Sequence, residues 1–169
     1  DARQVAVMGR GGTDMRVGIE AAARLRPRPE VVIVLSDGEP NLDLRTFCEK
    51  DGGSCPFKKP HEIAHDLANP ADPKNAVKVY TVGFGLTTAS GTDCRTLKMP
   101  TDFDDGGKCV NATGALAACC TLSRIAYEGG TTSAYFADDV TSLKAALSDV
   151  LSQAAASTTS PSMAAPDSR

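Results

Sequence analysis

Val31-Val32-Ile33-Val34-Leu35 runs directly into Ser36-Asp37-Gly38-Glu39. A continuous apolar run bounded by a turn predicts a strand buried on both faces of a parallel sheet. Asp37-Gly38 is turn chemistry, so the strand ends there. Upstream, Arg3 to Met8 reads as the tail of another strand. Gly11-Gly12-Thr13-Asp14 then opens a helix, with Thr13 or Asp14 as its cap. Met15, Ile19, Ala22, Ala23 and Leu25 give that helix one apolar face. Pro27 and Pro29 end it.

Downstream, residues 39–60 carry Gly, Pro and two cysteines and read as a long loop. A short helix fits 61–68, between Pro60 and Pro70, with Ile63, Ala64 and Leu67 toward the core. Val77 to Gly83 is a further strand, closed by a Gly-Phe-Gly turn. Residues 86–112 form a polar, cysteine-bearing insertion. A helix fits 114–127, stopped by Gly129-Gly130. Ser133 to Phe136 is a short strand. Val140, Leu143, Leu147, Val150 and Leu151 mark an amphipathic helix capped near Asp139. From Ala154 onward Ala, Ser, Thr and Pro dominate, and 153–169 reads as a flexible tail. The alternation of helix and strand predicts an α/β fold with parallel strands and right-handed crossovers.

The 169 residues fit about one domain. Aromatics are 5% and Trp is absent, so the core must rest on Val, Ile, Leu and Ala. A net charge of −3 offers no basic footprint for nucleic acid. No apolar run approaches the roughly 20 residues that span a bilayer. The chain opens on Asp1 rather than Met, so an upstream segment is expected.

The six cysteines are Cys48, Cys55, Cys94, Cys109, Cys119 and Cys120. None has the Cys-x-x-Cys spacing of a zinc site. Cys119 and Cys120 are neighbours, with Cα atoms about 3.8 Å apart, too close for an ordinary mutual disulfide. Cys48–Cys55 is the expected small loop. Cys94 and Cys109 then pair with Cys119 and Cys120 in either order. Such usage predicts an oxidising compartment: extracellular, cell surface or periplasmic.

The ordered motifs resemble the von Willebrand factor A (vWA) family. They are Gly-Gly-Thr opening a helix, Val-Val-Ile-Val-Leu-Ser-Asp-Gly, and Val-Tyr-Thr-Val-Gly-Phe-Gly. Leu122-Ser123-Arg124-Ile125-Ala126, Gly129-Gly130 and Tyr135-Phe136-Ala137 complete the set. The resemblance covers about residues 5–152. Within it, residues 77–152 resemble the A domain of type IV pilus tip-associated adhesins, through Val-Gly-Phe-Gly, Cys-Cys-Thr-Leu and Ala-Tyr-Phe-Ala-Asp-Asp. The front also resembles A-like domains of cytoplasmic proteins classed as metallopeptidases; the cysteines favour the surface protein.

The resemblance implies a Rossmann-like, doubly wound parallel sheet and a metal-ion-dependent adhesion site (MIDAS). Thr13 and Asp37 match that site's Thr and second Asp, as ligands to Mg²⁺, Mn²⁺ or Ca²⁺. Its Asp-x-Ser-x-Ser loop is not in this sequence, so the domain is expected to be partial. The family's first, central strand and two more would then precede residue 1. The far edge of strand 31–36 would be unpaired, to be completed by an N-terminal segment or a partner. The implied function is adhesion or pilus assembly through a protein ligand, with metal bound weakly or not at all by this chain alone.

A competing motif is His61-Glu62-Ile63-Ala64-His65, the His-Glu-x-x-His of zinc proteases. There two His one turn apart bind zinc and the Glu activates water. The metzincin extension fails, since Ala68 and Ala71 stand where Gly and His are needed. Downstream the only Glu is Glu128, without the surrounding pattern such a site has, and Asp93, a candidate carboxylate third ligand, lacks that context too. A plain surface helix is the expected reading. Asp102 to Gly107 hints at a calcium loop, but Thr113 stands where an EF-hand needs Glu; a solvated acidic turn is expected. Asn111-Ala112-Thr113 is a glycosylation sequon in a secreting host.

Overall fold

The structure is a computed structural model, and it describes residues 5–9, 15–37, 58–87, 91 and 93–158. Four strands form one parallel sheet: β1 (Val5–Gly9), β2 (Val31–Ser36), β3 (Lys78–Phe84) and β4 (Tyr135–Ala137). Their order in the sheet is β1-β2-β3-β4. Val32 lies between Val5 and Val79, and Val82 pairs with Tyr135. The α/β class and parallel pairing expected from the apolar runs are therefore present. One expectation is overturned: the far edge of β2 is not unpaired, because Val5–Gly9 occupies it.

Helices connect the strands: α1 (Met15–Ala23), α2 (Pro60–Ala68) and α3 (Gly114–Glu128). All three pack on one face of the sheet. Met15 and Ile19 of α1, Ile63 and Leu67 of α2, and Leu122 and Ile125 of α3 join Val32, Val34 and Val79 in one cluster. The other face carries Val31, Ile33, Tyr80 and Val82, covered by α4 (Val140–Thr158) through Ala146, Val150 and Ala154. Alternate residues of β2 thus serve opposite layers, as the pleat requires. Each fully buried Val, Ile or Leu contributes about 1.5–3 kcal/mol through lost water contact.

Two boundaries differ from expectation. α1 ends at Ala23, so Leu25 lies beyond it and is exposed. Conversely, α4 runs to Thr158, and Ala154 is buried, so the flexible tail does not begin at 153. Ala has the highest helix propensity, and Ala154 sits one turn past Val150 on the buried face. Low periodicity in an Ala-rich stretch concealed a helical end. The loop expected at 39–60 falls mostly outside the described residues.

α3 stops where β3 comes close. A Cβ on Gly129 would meet Val79 Cβ at 2.6 Å, and Gly130 has φ 78°. The helix end therefore uses one glycine for space and the next for backbone conformation. Thr131 Oγ1 then donates to Val79 O and Ala126 O, fixing the path toward β4.

Candidate functional site

Two places merit chemical scrutiny: the carboxyl end of β2 and a cleft between α2 and α3. At the first, β2 delivers Ser36 and Asp37. Ser36 is buried, while Asp37, one residue on, is exposed. An interior parallel strand thus presents a carboxylate at its carboxyl end, where open α/β sheets bind ligands. Thr13, expected as Asp37's companion ligand, lies outside the described residues. Mg²⁺ needs several oxygen ligands in near-octahedral array. Among the described residues, no three His, Cys, Asp or Glu side chains gather into a metal-holding group. Asp37 thus brings one exposed carboxylate to this end of the sheet, with no such His, Cys, Asp or Glu group around it among the described residues.

The second place is a cleft of about 470 Å³ lined by Lys58, His61, Glu62, His65, Asp66, Arg124 and Glu128. Pro60 opens α2 at its first turn, where its missing N–H costs nothing. Glu62 reaches back so that its Oε2 accepts from Lys59 N at 2.6 Å, capping the helix. Lys58 and Asp66 form an ion pair. The Asp66 carboxylate, by hydrogen bond and charge, raises the Lys58 pKa. Ile63, Ala64 and Leu67 face the core, as the apolar spacing predicts. His61 and His65 are thereby turned outward along the cleft.

Across it, α3 supplies Arg124 and Glu128. The Arg124 guanidinium carbon lies 5.8 Å from the centre of the Phe103 ring, and its buried Nε has no hydrogen-bond partner among the described residues. Glu128 meets the two histidines in one cleft, a juxtaposition made by helix packing and invisible to local spacing. Asp93 does not line that cleft. Its carboxylate accepts from Arg95 Nε and N, which holds its pKa below the usual range. Glu62, the acid of the His-Glu-x-x-His sequence, accepts from the backbone of Lys59.

The insertion is fastened by two disulfides, Cys94–Cys119 and Cys109–Cys120. That resolves the order left open by sequence; Cys48 and Cys55 lie outside the described residues. Adjacent cysteines near the middle of α3 thus hold two separate points of one loop. The acidic turn is internally bonded: Asp102 Oδ2 accepts from Lys98 N, and Asp102 O from Cys109 N. Asp104 and Asp105 are exposed, in keeping with a solvated turn. Asn111 of the sequon is also exposed.

No family model, no curated protein and no solved structure matches this chain. Among the described residues, no helix is long and apolar enough to cross a membrane.

Proposed function

We propose that the chain is a binding module of the vWA type, serving adhesion or pilus assembly at a cell surface or in another oxidising compartment. The reading rests chiefly on one observation. Asp37 is exposed at the carboxyl end of an interior parallel strand, directly after buried Ser36. In a vWA domain that position carries a cation ligand whose free coordination sites accept a carboxylate from a protein partner. Helices on both faces of the sheet and the disulfide-held insertion are consistent with this reading.

Thr13 and Asp37 are the cation ligands in this proposal, and Mg²⁺ or Mn²⁺ the cation. Two oxygen ligands hold such an ion weakly, so the protein partner's carboxylate, or a segment carrying Asp-x-Ser-x-Ser, completes the shell. Binding rather than hydrolysis is favoured because Glu62 caps α2. The deciding experiment is a titration of Mg²⁺, Mn²⁺ and Ca²⁺ against thermal stability, in the chain and in Asp37→Ala. A small saturable rise lost in Asp37→Ala is expected. No rise at any concentration would leave a metal-free module. Proteolysis that needs zinc and is lost in Glu62→Gln would replace the binding reading altogether.

A further inference from the structure

We propose that the cleft between α2 and α3 captures one divalent transition-metal ion of the zinc, nickel or copper class. His61 and His65 supply the first two ligands and Glu128 the third, from the opposite helix. The ion would tie two crossover helices together and is independent of Asp37.

Three observations carry this. First, the two imidazoles stand one helical turn apart on one helix and line one cleft. Residues four apart on a helix are surface neighbours, close enough to share an ion. Second, charge decides the sign of the ligand. Lys58 and Arg124 bring two positive charges to the lining, against three negative charges on Glu62, Asp66 and Glu128. With neutral imidazoles the lining has a net negative charge, which favours a cation over an anion. Third, the other two carboxylates have work already: Asp66 pairs with Lys58 and Glu62 caps the helix. Glu128 remains.

Imidazole nitrogen with a single carboxylate suits zinc, nickel or copper, whereas Mg²⁺ and Ca²⁺ demand oxygen shells. The three ligands do not form a preassembled metal-holding cluster. Capture requires rotation of His65, which is exposed, and of Glu128, which is half-buried. Such side chains move without disturbing the core behind Ile63 and Leu67. The cleft's volume leaves room for waters in the remaining coordination positions.

The experiment uses the full chain, untagged and with its disulfides intact, titrated with Ni²⁺ by calorimetry and by thermal melting. One saturable ion per chain is expected, with a melting temperature that climbs with Ni²⁺ concentration because the ion binds only the folded protein. Both signals should disappear in His61→Gln and in His65→Gln. Since His65 is exposed, its variant folds and keeps the test valid even if His61→Gln does not. Glu128→Gln should bind more weakly and lose most of the thermal shift. Asp37→Ala should leave the Ni²⁺ isotherm unchanged, which separates this site from the adhesion-type one. Absence of saturable binding, or binding retained in His65→Gln, would overturn the site. Unaltered affinity and thermal shift in Glu128→Gln would overturn the bridge between helices.

Discussion

The sheet with its crossover helices and the insertion at 93–112 are neighbours held by different physics. In the first, Val32, Val79, Leu122 and Ile125 have no exposed surface, and apolar burial supplies the stabilisation. In the second, most residues are exposed, and order comes from short turns and from covalent ties to Cys119 and Cys120. A polar loop cannot bury enough apolar surface to offset its conformational entropy. Two disulfides remove part of that entropy from the unfolded chain instead. The two regions meet at α3, whose buried face carries both Leu122 and the cysteine pair.

The comparison breaks most readily at Leu122. Leu122→Ala should cost about 4 kcal/mol, toward the upper part of the range for a fully buried leucine. Denaturant melts would measure it, and hydrogen exchange should quicken in β2 and β3. If exchange quickened only near 93–112, the apolar layer would not be what holds the sheet.

Removing a disulfide sharpens the contrast from the other side. Cys94–Cys119 spans 25 residues and Cys109–Cys120 spans 11. Loop-entropy arithmetic gives about 3.5 kcal/mol for the longer loop and about 2.8 for the shorter. Cys94→Ala with Cys119→Ala should therefore cost more than Cys109→Ala with Cys120→Ala. Cys94 and Cys119 also sit within the main core, so their loss should loosen sheet and insertion together. Cys109 is half-buried, so mild reductant should open its bond first. Thiol labelling followed by peptide mapping would check the order; simultaneous opening would show that the insertion has no stability of its own to lose.

A smaller effect is expected at Thr81, which has no exposed surface and donates to Leu122 O at 3.0 Å. Thr81→Val keeps the shape and removes the donor. The Leu122 carbonyl retains its helical bond, so a loss of about 1 kcal/mol is expected in thermal melts. A much larger loss would mean that this hydrogen bond, rather than packing, sets α3 against β3.

Sequence and structure agree where periodicity is strong. Val31 to Leu35 declared a strand buried on both faces, and Ile63, Ala64 and Leu67 declared the inner side of α2. Agreement fails where a feature depends on tertiary placement. The partner of β2's far edge could not be read from residues 3–8, since pairing is not a local property. The end of α4 was missed because Ala, Ser and Thr carry little hydrophobic contrast, although Ala154 packs tightly. The place of Asp37 just past the end of β2 was legible from the Asp-Gly turn. Glu128 was visible only as the one Glu downstream of the histidines, and its place opposite His61 and His65 follows from the packing of α2 on α3. With Cys48–Cys55 taken as one small loop, the adjacency of Cys119 and Cys120 left two pairings for the other four cysteines, and only the folded loop chooses between them.

Each region also holds one cap carboxylate with a depressed pKa, and these give the smallest and most specific test. In the framework, Asp139 Oδ1 accepts from Ser142 N at 2.8 Å, and that backbone hydrogen bond is the main cause of its lowered pKa. In the insertion, Asp93 is lowered chiefly by its side-chain hydrogen bond to Arg95. A carboxyl whose folded pKa is depressed adds stability above its unfolded pKa, near 3.9. That stability disappears as pH falls through the folded value. Asn caps a helix nearly as well as Asp, so Asp139→Asn should change stability little by geometry alone. What it removes is the acid slope. Melting temperature against pH should therefore flatten below about pH 4 in Asp139→Asn, with little change near neutrality. Asp93→Asn loses an exposed ion pair that salt already screens, so its flattening should shrink further as salt is added. Equal salt sensitivity in the two variants would mean that Asp139 acts through charge at long range rather than through its bond to Ser142.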